Sequence, residues 1–241
     1  MARLLPAFFA SFALFAFFTT DAAAAPALIE DSLAQRLAAC TPCHGKEGRA
    51  AADGYHPRIA GKPAGYLYHQ LLNFREGRRH YGPMVSIVDP LPDAYLREIA
   101  GHFAGLELPN PPPAAAAAAT ETVAVMARGR HVALQGDAAR GLPACTACHG
   151  PALTGALPAT PGLLGLPRDY LMGQLGAWVT GERRAHAPDC MAQVAQRLTG
   201  GDLAAVSAWL SSQPVPLGAK PVHSLPAPAP LRCGSVLGGA P

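Results

Sequence analysis

ACTPCHGKEG at residues 39–48 returns later in the chain as PACTACHGPA at residues 143–152. Each copy sets two cysteines two residues apart with a histidine directly behind: Cys40, Cys43 and His44, then Cys145, Cys148 and His149. Two Cys-x-x-Cys pairs can supply the four thiolates of a zinc site, and one pair can act as a redox dithiol. Both uses leave the histidines unexplained. A c-type haem accounts for every position: the cysteines add across two vinyl groups as thioethers, and the histidine, held beside the porphyrin, becomes the proximal iron ligand. Two copies predict two covalently attached haems c.

A sixth ligand separates an electron carrier from an enzyme, and the methionines are placed for it. Met84, in HYGPMVSIVDP, lies forty residues past His44, and Met191, in APDCMAQVAQ, lies forty-two past His149. Paired distances to a thioether predict His/Met coordination at both irons, which raises the reduction potential and suits electron transfer. His80 and His186, a few residues upstream, are the fallback ligands. Met126 and Met172 read as core filler.

The duplication extends beyond the ligands. PRIAGKPAGYLYHQLLNFREGRR at 57–79 aligns without a gap to the stretch beginning at Pro161, pairing Tyr66 with Tyr170, Gln70 with Gln174, Phe74 with Trp178 and Gly77 with Gly181. Apolar spacing predicts a helix ahead of each motif, as with Leu33 and Leu37. A second helix opens at Pro63 or Pro167 and stops before Gly77 or Gly181, and a closing helix carries Leu96, Ile99 and Phe103 or Leu203, Val206 and Leu210. No strand alternation stands out, so the fold class is all-α. LPNPPPAAAAAAT at 108–120 is an extended, semi-rigid linker. Each half holds fewer than about a hundred residues, too few for a comfortable side-chain core, so an apolar porphyrin would serve as its centre.

Composition narrows the setting. The 241 residues are 50% hydrophobic with net charge +3, globular in type and without the basic runs that nucleic acid requires. Arg3 precedes an apolar run at residues 4–18, shorter than the roughly 20 residues of a bilayer span, and small residues follow at Ala24 and Ala25. Residues 1–25 therefore read as a cleaved signal peptide and the mature chain as exported. In that oxidising compartment Cys190 and Cys233, outside the motifs, read as a disulfide that ties a Pro/Ala-rich tail, residues 213–241, across the second haem face. A free Cys190 thiolate would instead compete with Met191 for iron. The basic pairs Arg78–Arg79 and Arg183–Arg184 face haem propionates, a partner, or only solvent. His56, His69, His102, His131 and His223 show no partner in the sequence.

The order Cys-x-x-Cys-His-Gly, Pro-x-x-x-Gly, YL..QL..F..G.R, methionine and amphipathic helix, given twice, resembles the diheme cytochrome c4 family over residues 30–212. The resemblance implies two tandem class I cytochrome c domains, residues 26–107 and 121–212, each wrapped around one haem. It implies that the carbonyls of Pro57 and Pro161 accept the Nδ1 protons of the proximal histidines. It also implies a periplasmic carrier, peripherally associated with the membrane, that passes single electrons from a dehydrogenase or quinol-oxidising complex to an acceptor such as a terminal oxidase. Cys190, Cys233 and the tail depart from the family pattern. Two alternatives share the cofactors: a cytochrome subunit of a periplasmic dehydrogenase, and a diheme peroxidase, which needs one iron with an open sixth position.

Overall fold

The computed structural model describes residues 32–112 and 121–237. The signal peptide expected at 1–25 and most of the expected linker, 113–120, lie outside them.

In the first half, the Ser32 side chain accepts from the Gln35 amide and starts α1 (Leu33–Leu37), which tightens through a single 3₁₀ turn into α2 (Thr41–His44). Helix α3 (Ala64–Arg75) opens after Pro63, a position where a missing N–H costs nothing. Helices α4 (Gly82–Val88) and α5 (Asp93–Ala104) complete the half. The second half repeats the plan with α6 (Val123–Leu134), α7 (Thr146–His149), α8 (Arg168–Thr180), α9 (Cys190–Ala195) and α10 (Gly200–Ser212). A last turn, α11 (Gly234–Leu237), ends the tail.

The all-α expectation holds, with one small addition. Strands β1 (Gly155–Ala156) and β2 (Thr160–Pro161) pair antiparallel, and Val222 of the tail bridges to Ala156 in parallel. Two-residue strands are too short to show alternation in sequence.

Each half buries its own apolar cluster. Leu67, Phe74, Leu96, Ile99 and Phe103 anchor the first, and Val132, Leu142, Leu171, Val206 and Leu210 the second. Helix α3 is buried beyond its predicted stripe, since Tyr68, His69, Leu72 and Asn73 are covered as well, and it also touches β2 of the other half. Met172 departs from expectation: it sits 37% exposed on α8. Met126 is partly buried.

Two details hold the second half together. Helix α6 crosses α10 so closely that a Cβ on Gly129 would lie 2.1 Å from the Ala205 carbonyl oxygen. Asp202, 1% exposed, accepts from Arg128 Nε at 2.8 Å and Arg140 Nη1 at 2.7 Å and forms a capping box with Thr199. Burial alone would raise its pKa, but those hydrogen bonds outweigh it and hold the carboxyl well below the ordinary carboxylate range. In the first half the buried Arg58 donates to the carbonyls of Leu108 and Pro109 at 2.7 and 2.9 Å, fastening the chain where it leaves that half.

Gly129→Ala is expected to cost about 1–3 kcal/mol by overpacking, whereas Gly101→Ala, in open space on the exposed side of α5, should be neutral or gain about 0.5–1 kcal/mol. Chemical denaturation of the two variants checks the contrast. Because the folded-state pKa of Asp202 is depressed, its contribution is present above the unfolded value near 3.9 and fades as pH falls below it. Asp202→Asn should lose about 2 kcal/mol at neutral pH, discounted for the part-exposed arginines, and show a shallower acid limb in stability against pH.

Candidate haem sites

Each Cys-x-x-Cys-His stretch is folded as one helical turn ending at its histidine, α2 at His44 and α7 at His149. The next residue must reverse the chain. Gly45 and Gly150 do so at φ +72° and +82°, and a Cβ on Gly45 would fall 2.3 Å from the Ala50 carbonyl oxygen. The returning loops bring the prolines across: His44 Nδ1 lies 2.9 Å from the Pro57 carbonyl oxygen and His149 Nδ1 2.7 Å from that of Pro161. A carbonyl only accepts, so Nδ1 carries the proton. Burial lowers the basicity of both imidazoles, keeping the rings neutral with a lone pair on Nε2 for a metal.

Beside each histidine opens a large apolar cavity. The first is lined by Cys40, Cys43, His44, Pro57 and Met84, with His80 also on its wall. The second is lined by Cys145, Cys148, His149, Pro161 and Met191, with His186 on its wall. Thus the structure brings each set of predicted residues to one cavity, and each methionine sits in the first turn of a short helix, α4 or α9. The two cysteine pairs face different cavities, and among the described residues no three His, Cys, Asp or Glu side chains gather as a metal site. All four motif cysteines are free. Burial pushes the Cys145 thiol up to about 12 and raises Cys40 and Cys148, which disfavours the thiolates that zinc or a redox dithiol needs.

The cavities stand back to back. Arg79 and Arg183 form an antiparallel bridge between the halves, and the Arg184 amide donates to the Arg78 carbonyl at 2.6 Å. Around that bridge runs an approximately two-fold network. Arg79 donates to Gln174 at 2.7 Å and Gln70 at 3.1 Å, while Arg183 donates to Gln70 at 2.9 Å and Gln174 at 2.7 Å. Arg79 also stacks over Phe74 and Arg183 over Trp178. Lys62, Tyr66, Gln70, Tyr170, Gln174 and Arg183 line both cavities.

This interface holds cations without counter-charges. Among the described residues, neither Arg79, Arg183 nor Lys62 forms an ion pair with a carboxylate, and desolvation pushes Arg183 and Lys62 down. The indole N–H of Trp178, on the wall of the second cavity, is buried without a partner. A buried Arg183, with Arg79 and Lys62 half-buried beside it and an indole N–H facing an apolar cavity, fits a flat apolar group that carries carboxylates, as haem does with its propionates. Of the two predicted basic pairs, the inner members serve the interface. The outer members cross it at its edge: Arg78 reaches His186 of the other half as well as Asn73 and Glu76 of its own, and Arg184 donates to the Gly77 carbonyl.

No family model matches the chain. It is 35% identical over 178 residues, 74% of its length and 80% of the relative's, to a thiosulfate dehydrogenase electron acceptor of Thiomonas intermedia. It is 30% identical over 183 residues, 73% of its length and 84% of the relative's, to cytochrome c4 of Pseudomonas aeruginosa. The chain belongs to the cytochrome c4 family. A solved structure of reduced cytochrome c4 from Pseudomonas stutzeri matches with a TM-score of 0.63 at 28% identity, covering 74% of this chain and 95% of that one. The fold is therefore the all-α class I cytochrome c fold, and the cofactor is covalently bound haem c. As a diheme cytochrome of the c4 type the protein transfers electrons and is not an enzyme, which sets aside the peroxidase alternative.

Several residues at this cytochrome's sites were not assigned a role by the sequence. Gln70 and Gln174 are matched in the repeat, yet their function depends on the partner half. Lys62, opposite Leu166 in the alignment, has no repeat signal at all. Near the first cavity, His56 bonds Asp53 at 2.5 Å and Tyr81 at 3.2 Å, with Tyr55 alongside, 60% exposed. Aromatic spacing alone does not announce such a cluster.

Removing a buried positive charge disfavours the reduced, more negative state of a nearby iron. Arg183→Met should therefore lower the reduction potential of the holoprotein, and Arg183→Lys should lower it less. A spectroelectrochemical titration of Arg183→Met superimposable on wild type would remove the electrostatic role.

Proposed function

We propose that the protein is an exported, periplasmic carrier holding two haems c, one per half, each ligated by His and Met. Residues 26–107 and 121–212, joined through 108–120, would be the two haem-bearing units. The observation that carries the reading is the pair of cavities, each with its Cys-x-x-Cys-His turn and methionine, meeting at an interface rich in unpaired cations.

When bound, haem c supplies an iron that changes oxidation state by one electron. The chain does the rest. Cys40, Cys43, Cys145 and Cys148 would fix the group covalently, and the Pro57 and Pro161 carbonyls hold His44 and His149 in the ligating tautomer. Met84 and Met191 would close the sixth positions, excluding water and substrates. Arg79, Arg183 and Lys62 would hold propionates between the halves, where the side chains shared by both cavities would form a protein path from one half to the other.

For the partner, the relative named as an acceptor for thiosulfate dehydrogenase supports a periplasmic dehydrogenase of a small sulfur oxyanion as donor. Downstream, the resemblance implies an acceptor such as a terminal oxidase, which is proposed here. Export rests on residues 1–25, and among the described residues no helix is long and apolar enough to cross a membrane.

The ferric holoprotein should show the far-red sulfur-to-iron band at two haems per chain. Met84→Ala and Met191→Ala should each halve it and lower one potential. Rapid mixing with a reduced thiosulfate dehydrogenase should reduce the wild type faster than a quinol-oxidising complex does; the reverse order would replace the donor.

A further inference from the structure

Resting on the assignment of Met191 as a ligand, we propose that the Cys190–Cys233 disulfide and its tail are the positioning device of the second methionine, with no counterpart at the first. Cys190 is bonded to Cys233 and directly precedes Met191. Just past that bond, the Gly234 amide donates to the Pro188 carbonyl at 2.9 Å, and a Cβ on Gly234 would lie 2.3 Å from the Ala187 carbonyl oxygen. The tail is thus laid against the segment that leads into the methionine. Leu231, Cys233, Ser235 and Val236 then form part of the second cavity's wall.

The tail is held at its other points too. Val222 bridges β1, the Thr154 hydroxyl donates to the Lys220 carbonyl at 3.0 Å, and α11 packs on α3 of the first half. The segment before Met191 is also pinned across the interface: His186 Nε2 is 2.8 Å from Arg78 Nη2, and its ring lies edge-on to His69 at 5.2 Å. Asp189 accepts from the Ala185 and Ala192 amides at 2.6 and 3.0 Å.

Met84 is reached differently. Its helix starts with Pro83 in the first turn, no cysteine adjoins it, and none of the described tail residues lines its cavity. A neutral thioether is a weak hold on iron, so its persistence depends on how seldom its loop opens. The cross-link between residues 43 apart ties the position next to Met191 to the tail, and the Gly234–Pro188 hydrogen bond extends that hold to the residues before it, so the open states available to this segment are fewer.

The test compares ferric wild-type holoprotein with Cys190→Ala/Cys233→Ala. The sulfur-to-iron band per haem should fall twofold, and the reduced variant should take up carbon monoxide at one haem of two. In a Met84→Ala background the same change should abolish the remaining band. If the cysteine variant does not accumulate, the bond is opened in folded wild type with a dithiol, the two freed thiols are alkylated and counted by mass, and the haems are reoxidised with ferricyanide; the same twofold loss is expected. Retention of both bands with no carbon monoxide uptake, and only a lower melting temperature, would overturn the positioning role. A wild-type band that Met191→Ala does not diminish would instead overturn the ligand assignment beneath it.

Discussion

Everything in each half is arranged around one hydrogen bond, from the motif histidine's Nδ1 to a proline carbonyl. That bond fixes the tautomer, and with it which nitrogen is left to face the cavity. To make it, the chain must leave the histidine by a glycine in the left-handed region and return within about a dozen residues. The return delivers the chain to Pro63 or Pro167, where a long cavity-facing helix begins. Loop, glycine and helix start therefore follow from orienting one ring.

The second constraint is electrostatic. A guanidinium buried between two apolar cavities is costly unless an anion or a dense set of acceptors meets it. The glutamine pair and the aromatic faces of Phe74 and Trp178 satisfy part of the demand for Arg79 and Arg183. What remains fits carboxylates supplied from the cavities. On the proposed reading the cofactors would complete the interface, and the coupling of the halves would also be the coupling of their redox sites.

How far the sequence reveals this depends on how local each feature is. The motif turns, proline starts and closing helices are set by short-range spacing and stand where the pattern puts them, and Met84 and Met191 line the cavities beside those turns. The Arg–Gln network is different, because each arginine needs a glutamine from the opposite half and no periodicity records which surfaces meet. Met172 shows the same gap: an apolar residue at a helical position reads as core, yet α8 turns that side outward. The β1–β2 pair was hidden by its brevity, and α3 is covered beyond its stripe because Tyr68 and Leu72 join the first half's core while His69 meets His186 of the other half.

The duplication also frees one copy to depart from the other. Both halves retain the residues that orient a histidine, since losing that bond would misdirect the iron ligand. Around the methionines the copies diverge: the first relies on a proline-led turn, and the second borrows strength from outside its own fold, through a disulfide to the tail and through Arg78 and His69 of the first half. A ligand held by local structure is governed by the stability of its own loop. A ligand held by a cross-link and an interface is governed by whether those remain intact. Half-to-half docking touches both cavities, but the disulfide adjoins only the second methionine, so thiol chemistry is the perturbation that separates two sites built from one repeat.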